Sequence, residues 1–143
     1  MPNKKRKYWG AISSFMSSED IANAAALQEA AGLEGTFAAQ VYGPPFAPLA
    51  AAATKTNSLQ LATGIAIALT RSPFETAMAA TELDHMSQGR LVLGLGASVK
   101  SWTGGFFGMP YDKPVSQLRE TVDIIRKVVS GSHTGDLENH NGK

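Results

Sequence analysis

Residues 59–96 read LQLATGIAIALTRSPFETAMAATELDHMSQGRLVLGLG, and the fold turns on how they are parsed. They open as a strand in which large aliphatics (Leu59, Leu61, Ile65, Ile67, Leu69) alternate with a second set that is almost entirely small (Ala62, Gly64, Ala66, Ala68). Ser72 offers a side-chain oxygen to cap a helix, and Pro73 suits the first helical position. Ala79, Leu83 and Met86 follow at helical spacing, and Gly89 stands where a left-handed residue ends the helix. A second strand, 91–96, sets Leu91, Leu93 and Leu95 against Gly94 and Gly96. Strand, helix and strand in this order make a parallel crossover. A sheet face emptied of side chains at neighbouring strand ends has room for something flat.

Toward the amino terminus the same alternation recurs. Residues 8–13 (YWGAIS) form a short strand. Ser17 or Ser18, ahead of Glu19 and Asp20, starts a helix that runs to about Ala31, with Ile21, Ala24, Ala25 and Ala31 on one face, Leu27 beside them, and Gly32 as its stop. Residues 35–41 (GTFAAQV) read as the next strand. Residues 42–48 (YGPPFAP) form a loop that ends in a helix start at Pro48, and a short Ala-rich helix covers 49–55.

Beyond Gly96 comes a long glycine-rich and aromatic loop, ASVKSWTGGFFGMPYDKP. Loops of that length inside a compact domain are usually lids or binding segments. From Val115 a helix carries Val115, Leu118, Val122, Ile125 and Val129 as one stripe, with Arg119, Glu120, Asp123, Arg126 and Lys127 on the other side. From Ser130 on the chain reads as polar and irregular.

Composition narrows the function classes. A formal charge of +1 over 143 residues gives no electrostatic argument for nucleic acid or acidic lipid. The run Lys4 to Lys7 reads as a solvated end. Without cysteine there are no disulfides, thiolate nucleophiles or Cys-based zinc sites. No apolar run reaches the length of a membrane span, and no signal-peptide pattern follows MPNKKRK, so a soluble, cytoplasmic protein is expected.

Four strand–helix alternations place the chain in the α/β class, expected as a single unit. A doubly wound dinucleotide-binding sheet would need a glycine fingerprint after its first strand. Here FMSSED stands there, and Gly94, Gly96 and Ala97 also miss the G-x-G-x-x-G spacing. A (β/α)8 barrel is the competing architecture, although four units supply only half of a fold that needs about 250 residues.

Specific motifs settle the choice. They are Thr63-Gly64-Ile65 followed by Arg71-x-Pro73, then Leu83-Asp84-x-x-Ser87-x-Gly89-Arg90, then the L-G-L-G strand, then Phe107-Gly108-x-Pro110. With them, 61–98 and 106–131 resemble the amino-terminal half of the bacterial luciferase-like oxidoreductases, flavin- or deazaflavin F420-dependent enzymes on a TIM-barrel fold. The F420-dependent members are the nearer ones. The resemblance implies a partial (β/α)8 barrel of about four βα units and a non-proline cis peptide at Gly64–Ile65 backing the flavin ring. It implies a ring lying near Gly64, Ile65, Ala66, Gly96, Ala97 and Ser98, with F420 as cofactor and FMN as the alternative. It further implies hydride transfer to or from a small organic substrate, with oxygen insertion in the FMN case.

The sequence also departs from the family. Acid/base residues common at the end of the second strand are replaced by Gln40, Val41 and Tyr42, and a glutamate found after the fourth-strand glycines in some relatives is replaced by Val99 and Lys100. No proton donor carries over, so no catalytic residue is assigned. The remaining four units of the family, with the cofactor phosphate site, are expected to be missing. The chain is therefore read as an amino-terminal fragment that binds flavin weakly or not at all by itself. A catalytically inactive half-barrel that self-associates through its open edge, as a homodimer, is the alternative.

Other candidates have plainer explanations. His85 near a helix end suits the local dipole, and His133, Asp136, Glu138 and His140 lack metal-ligand spacing, so no metal is expected. Trp102, Phe106, Phe107 and Tyr111 read equally as a lid or as rim cover. Thr70 and Arg71 could hold an anionic group or merely fix the start of the helix.

Overall fold

The structure, a computed structural model, describes residues 6–131. In chain order these are β1 (Trp9–Ile12), α1 (Ser18–Ala30), β2 (Gly35–Ala38), α2 (Phe46–Ala53), β3 (Gln60–Thr63), β4 (Ala66–Ile67), α3 (Pro73–Met86), β5 (Leu91–Val92), β6 (Leu95–Gly96) and α4 (Pro114–Gly131). A 3-10 turn (Ala68–Thr70) and a π-helical segment (Ser101–Phe106) complete the set. The residues fall into two compact units. One takes the chain up to Ile65 together with Leu83–Gly94; the other takes Ala66–Glu82 together with the chain from Leu95 onward.

The first unit is a parallel sheet in the order β1-β2-β3-β5. Its registers align Gly10, Thr36, Leu61 and Leu91 in one row and Ala11, Phe37, Ala62 and Val92 in the next. α1 and α2 pack on this sheet and on each other. Ile12, Ile21, Ala25, Ala38, Leu49, Ala52, Leu59, Leu61 and Leu83 make the core. The first unit's strands leave Trp9, Phe37 and Val92 exposed. In the second unit β4 pairs with β6, also parallel, and α4 packs on the 3-10 turn.

Several boundaries differ from the sequence reading. The strand expected over 59–69 is two strands, broken at Gly64–Ile65, and that bond is cis, as the resemblance implied. Strict alternation fails there, because Ala66, Ile67 and Ala68 are all buried while Ile65 is exposed. The strand 91–96 is likewise divided into β5 and β6. β2 stops at Ala38, three residues early. α2 begins at Phe46 rather than Pro48, since the Leu49 N–H already reaches the Pro45 carbonyl (3.4 Å) and a proline inside the first turn forfeits no bond. Residues 101–106 are π-helical rather than loop, and α4 continues through Ser130.

The helix faces shift as well. α1 buries Ile21, Ala22 and Ala25, leaving Leu27 and Ala31 exposed, because Gln28 turns inward to donate to the Ala11 carbonyl (3.1 Å). α3 packs through Thr76, Ala77, Ala80 and Leu83, leaving Met86 exposed. α4 is buried at Thr121 and Ile125 but exposed at Val115 and Val129. Ile21, Ala25, Leu83 and Ile125 are buried as expected, and the rest of each buried face is drawn from alanines and threonines that pack closely. Ser17 and Ser72 cap as expected, donated to by Asp20 N–H and Glu75 N–H, and Gly32 and Gly89 have φ of 78° and 80°.

Polar side chains fix the turns. Asp84 Oδ1 accepts from the Leu91 N–H (3.1 Å), and its carbonyl accepts from Gly89 N–H (2.8 Å) and the Ser87 hydroxyl (3.2 Å). The buried Arg90 guanidinium donates to the Ser87, Thr56 and Leu59 carbonyls and to the Thr56 hydroxyl. The Asp84-x-x-Ser87-x-Gly89-Arg90 motif is thus the hinge from α3 into β5. Glu29, half-buried near the end of α1, accepts from the N–H groups of Ser58 (2.7 Å), Leu59 (2.8 Å) and Asn57 (3.0 Å) and from the Ser58 hydroxyl (3.0 Å). Burial alone would raise its pKa, but these donors outweigh it and lower the carboxyl from 4.5 to about 2.

A carboxyl whose folded pKa is depressed contributes stability that is fully present above the unfolded pKa and lost as pH falls through the folded one, here between 4.5 and about 2. Glu29→Gln is expected to cost about 1–3 kcal/mol at neutral pH. Its deficit against wild type should shrink as urea melts are taken down through that window; a deficit independent of pH would contradict the assignment.

Candidate functional site

The two breaks in the strands define the candidate site, and each is built from backbone that side chains hold in place. At the end of β3, the Thr63 hydroxyl donates to the Gly94 carbonyl (2.7 Å) and accepts from the Gly94 N–H (2.8 Å). One side chain so takes over both ladder bonds at the point where β5 has ended. A Cβ at Gly94 would overlap the Thr63 carbonyl oxygen, so glycine is required there. On the other side of β3, Gly64 N–H donates to the Ala38 carbonyl (2.8 Å) and Gln40 N–H to the Ile65 carbonyl (3.0 Å), which carries the β2 pairing past the cis bond. A Cβ at Gly64 would stand 2.7 Å from the Phe37 ring.

In the second unit β4 and β6 each carry one small residue, Ala66 and Gly96, and Ala97 and Ser98 follow β6. Ala66 pairs with Leu95 and Ile67 with Gly96; Ala66 and Ile67 are buried, while Gly96, Ala97 and Ser98 are half-buried. Ser98 has φ of 61°, a left-handed conformation uncommon for a residue with a side chain. Two hydroxyls hold this backbone: Thr103, fully buried, donates to the Ala97 carbonyl (3.0 Å), and Tyr111 donates to the Ser98 carbonyl (2.6 Å). The result is a short stretch of small residues, Gly96, Ala97 and Ser98, whose backbone two hydroxyls hold. Small, half-buried residues such as Gly96, Ala97 and Ser98 leave room for a planar ring, so they are compatible with a flavin or deazaflavin.

The sequence-derived residues sort plainly. Gly64 and Ile65 form the cis bond of the first unit; Ala66, Gly96, Ala97 and Ser98 lie together in the second. The sequence reading does not mark Thr63, Thr103 and Tyr111 as anchors of this backbone. Thr63 stands inside a quoted motif, and a hydroxyl before a glycine at a strand end is the available signal. Trp102 and Phe106 contact each other at 4.8 Å, with Phe106 exposed. The Thr70 hydroxyl donates to the Ile67 carbonyl (2.9 Å), which closes the 3-10 turn, and Arg71 lines a cavity beside α4. His85 is exposed in the last turn of α3. Among the described residues no cluster of three or more His, Asp or Glu could hold a metal ion, and no helix is long and apolar enough to cross a membrane. His133, Asp136, Glu138 and His140 lie outside the described residues.

Comparison with known proteins bears on the family and the fold. The family model described as luciferase-like monooxygenase matches residues 4–143. A Mycobacterium tuberculosis protein, named for an ascribed coenzyme F420-dependent oxidoreductase activity, is 37% identical over 122 residues, 85% of this chain and 34% of its own. The solved coenzyme F420 dependent tetrahydromethanopterin reductase of Methanopyrus kandleri superposes with a TM-score of 0.78 at 25% identity, over 87% of this chain and 40% of that one. A type II Baeyer-Villiger monooxygenase of Pseudomonas putida in complex with FMN gives 0.80 at 17% identity, over 96% and 43%, which shows the fold alone. The chain spans about a third of the length of the curated relatives it matches. Its fold class is α/β, part of a (β/α)8 barrel.

Thr63→Val keeps the shape of the side chain and removes both bonds to Gly94. It is expected to cost about 1–3 kcal/mol in chemical denaturation and to accelerate hydrogen exchange at the Gly94 amide, whereas Thr63→Ser should preserve both. Unchanged exchange in the valine variant would show that the clasp does not hold the strand end.

Proposed function

We propose that this chain, which belongs to the luciferase-like monooxygenase family, forms the ring-facing wall of an F420-dependent oxidoreductase acting on a small organic substrate. The observation that carries the reading is the stretch from the end of β6 onward, where Gly96, Ala97 and Ser98 offer no side chain larger than a hydroxymethyl and the Ala97 and Ser98 carbonyls are pinned by Thr103 and Tyr111; Ala66, in the paired strand β4, belongs to the same reading. Gly64 and Ile65, which run directly into β4, belong to the same reading. When bound, the deazaflavin supplies the hydride chemistry itself. The residues of this chain position the ring, and rigid positioning is what such a cofactor requires of its protein. With their carbonyls already taken by Thr103 and Tyr111, Ala97 and Ser98 meet the ring through van der Waals contact.

F420 is favoured over FMN because it is named for the relative with 37% identity and for a superposable enzyme at 25%, whereas the FMN-bound neighbour speaks for fold only. FMN, with the monooxygenase chemistry it supports, is the alternative. The self-associating half-barrel is favoured by a different observation: the first unit's sheet leaves Trp9, Phe37 and Val92 exposed, and β1 and β5 are its edge strands. Exposed apolar surface and unpaired strand edges both promote association.

Fluorescence titration separates the two. Weak, saturable binding of F420 is expected, and riboflavin and FMN should bind alike, since the contact is with the ring and not the phosphate. Ala97→Trp places an indole on the wall and should weaken binding at least about tenfold. Failure of F420, FMN and riboflavin to bind, together with a dimer in sedimentation equilibrium, would leave the non-catalytic reading standing instead.

A further inference from the structure

Three neighbouring strands of the first unit end in one row. Ile12, Ala38 and Thr63, the last residues of β1, β2 and β3, are aligned across the sheet, so the segments that follow them leave it at the same, carboxyl-terminal end. Each segment exposes apolar side chains there: Phe15 and Met16 after β1, Val41 and Tyr42 after β2, and Ile65 after β3. Phe15 and Tyr42 are 73% and 74% exposed, although large aromatic side chains are those a fold gains most by burying. They are also paired, with ring centroids 5.9 Å apart and planes at 56°. The Ser13 hydroxyl accepts from the Phe15 N–H (3.3 Å) in the first segment, and the Gln40 N–H donates to the Ile65 carbonyl (3.0 Å), which joins the second segment to the third.

The charge distribution at this end is as specific as its shape. Residues 8–18, 35–54 and 56–70, which contain the three strands and the turns after them, include no Asp, Glu, Lys, Arg or His. A charged ligand would leave water there without gaining a counter-charge from these segments, and such a transfer is costly. A flat neutral ligand avoids that cost and gains stacking and apolar contact against Phe15 and Tyr42. The acid/base residues common in the family at the end of the second strand are replaced by Gln40, Val41 and Tyr42, so the place where this chain departs from its relatives supplies half of the aromatic pair. Barrels of this class bind their ligands at the carboxyl-terminal ends of the strands.

We propose that Phe15 and Tyr42 form a shelf for the body of the substrate and select a neutral aromatic molecule. Calling that molecule the substrate rests on the oxidoreductase reading; the shelf itself lies wholly in the first unit. 2-Naphthol is the probe, with 2-naphthoate as its charged counterpart and cyclohexanol as a neutral ligand that is not flat. In NMR of the full chain, 2-naphthol should produce saturable shifts at Phe15, Met16, Val41, Tyr42 and Ile65 and bind at least about tenfold more tightly than either comparison compound. Phe15→Ala and Tyr42→Ala, both at exposed positions, should each weaken it about fivefold or more, whereas Tyr42→Phe, which keeps the ring, should not. Leu27→Ala, at an equally exposed apolar position on α1, should leave the affinity unchanged. Absence of 2-naphthol binding up to its solubility limit would overturn the proposal, and so would equal binding of 2-naphthoate, or an affinity that Phe15→Ala and Tyr42→Ala reduce no more than Leu27→Ala does. Flavin binding without 2-naphthol binding would strike the shelf alone. The reverse result would strike the oxidoreductase reading and leave the shelf standing.

Discussion

Two hydrogen bonds between the Thr63 hydroxyl and the backbone of Gly94 decide how this chain uses its strands. A parallel ladder ordinarily continues until one strand runs out of residues. Here β3 and β5 stop pairing although the chain goes on in both, because the Thr63 side chain takes over the donor and the acceptor of Gly94. Immediately beyond, the same two stretches of chain pair again as β4 and β6, with Ala66 against Leu95 and Ile67 against Gly96. The glycine is needed for the close approach and the hydroxyl for the satisfied backbone, and neither works without the other.

The small residues Gly96, Ala97 and Ser98 contribute little packing to hold themselves in place. Hydroxyls from elsewhere hold them. Thr103 and Tyr111 donate to the consecutive carbonyls of Ala97 and Ser98, and Ser98 adopts a left-handed conformation in the same stretch. The long loop and its π-helical segment therefore act first as supports that bring Thr103 and Tyr111 into position. The exposed ring of Phe106, in contact with Trp102, remains on the outer side of that support.

Much of the fold is legible in the sequence because its signals are local. Serines ahead of acidic or proline-led turns mark the starts of α1 and α3, and glycines at positive φ mark their ends. What the sequence does not show depends on long-range partners. Nothing local distinguishes a continuous strand over 59–69 from one interrupted at Gly64, because the interruption is made with Gly94, 31 residues away for Thr63. Nor does it reveal that Glu29 closes the turn before β3, or that Arg90 reaches back to Thr56 and Leu59. The helix stripes differ for a related reason: hydrophobicity picks out Leu27, Met86 and Val115, whereas close packing chooses Ala22, Thr76 and Thr121.

Under the proposed function the wall at Ala66, Gly96, Ala97 and Ser98 receives the deazaflavin ring, and a residue-resolved map of where that ring lands is the most direct check. In an amide-detected NMR titration with F420, the ring current should give the largest shifts at Ala66, Gly96, Ala97 and Ser98, with Thr103 and Tyr111 following. Shifts confined to the open sheet face at Trp9, Phe37 and Val92, with the β4–β6 amides unmoved, would contradict it.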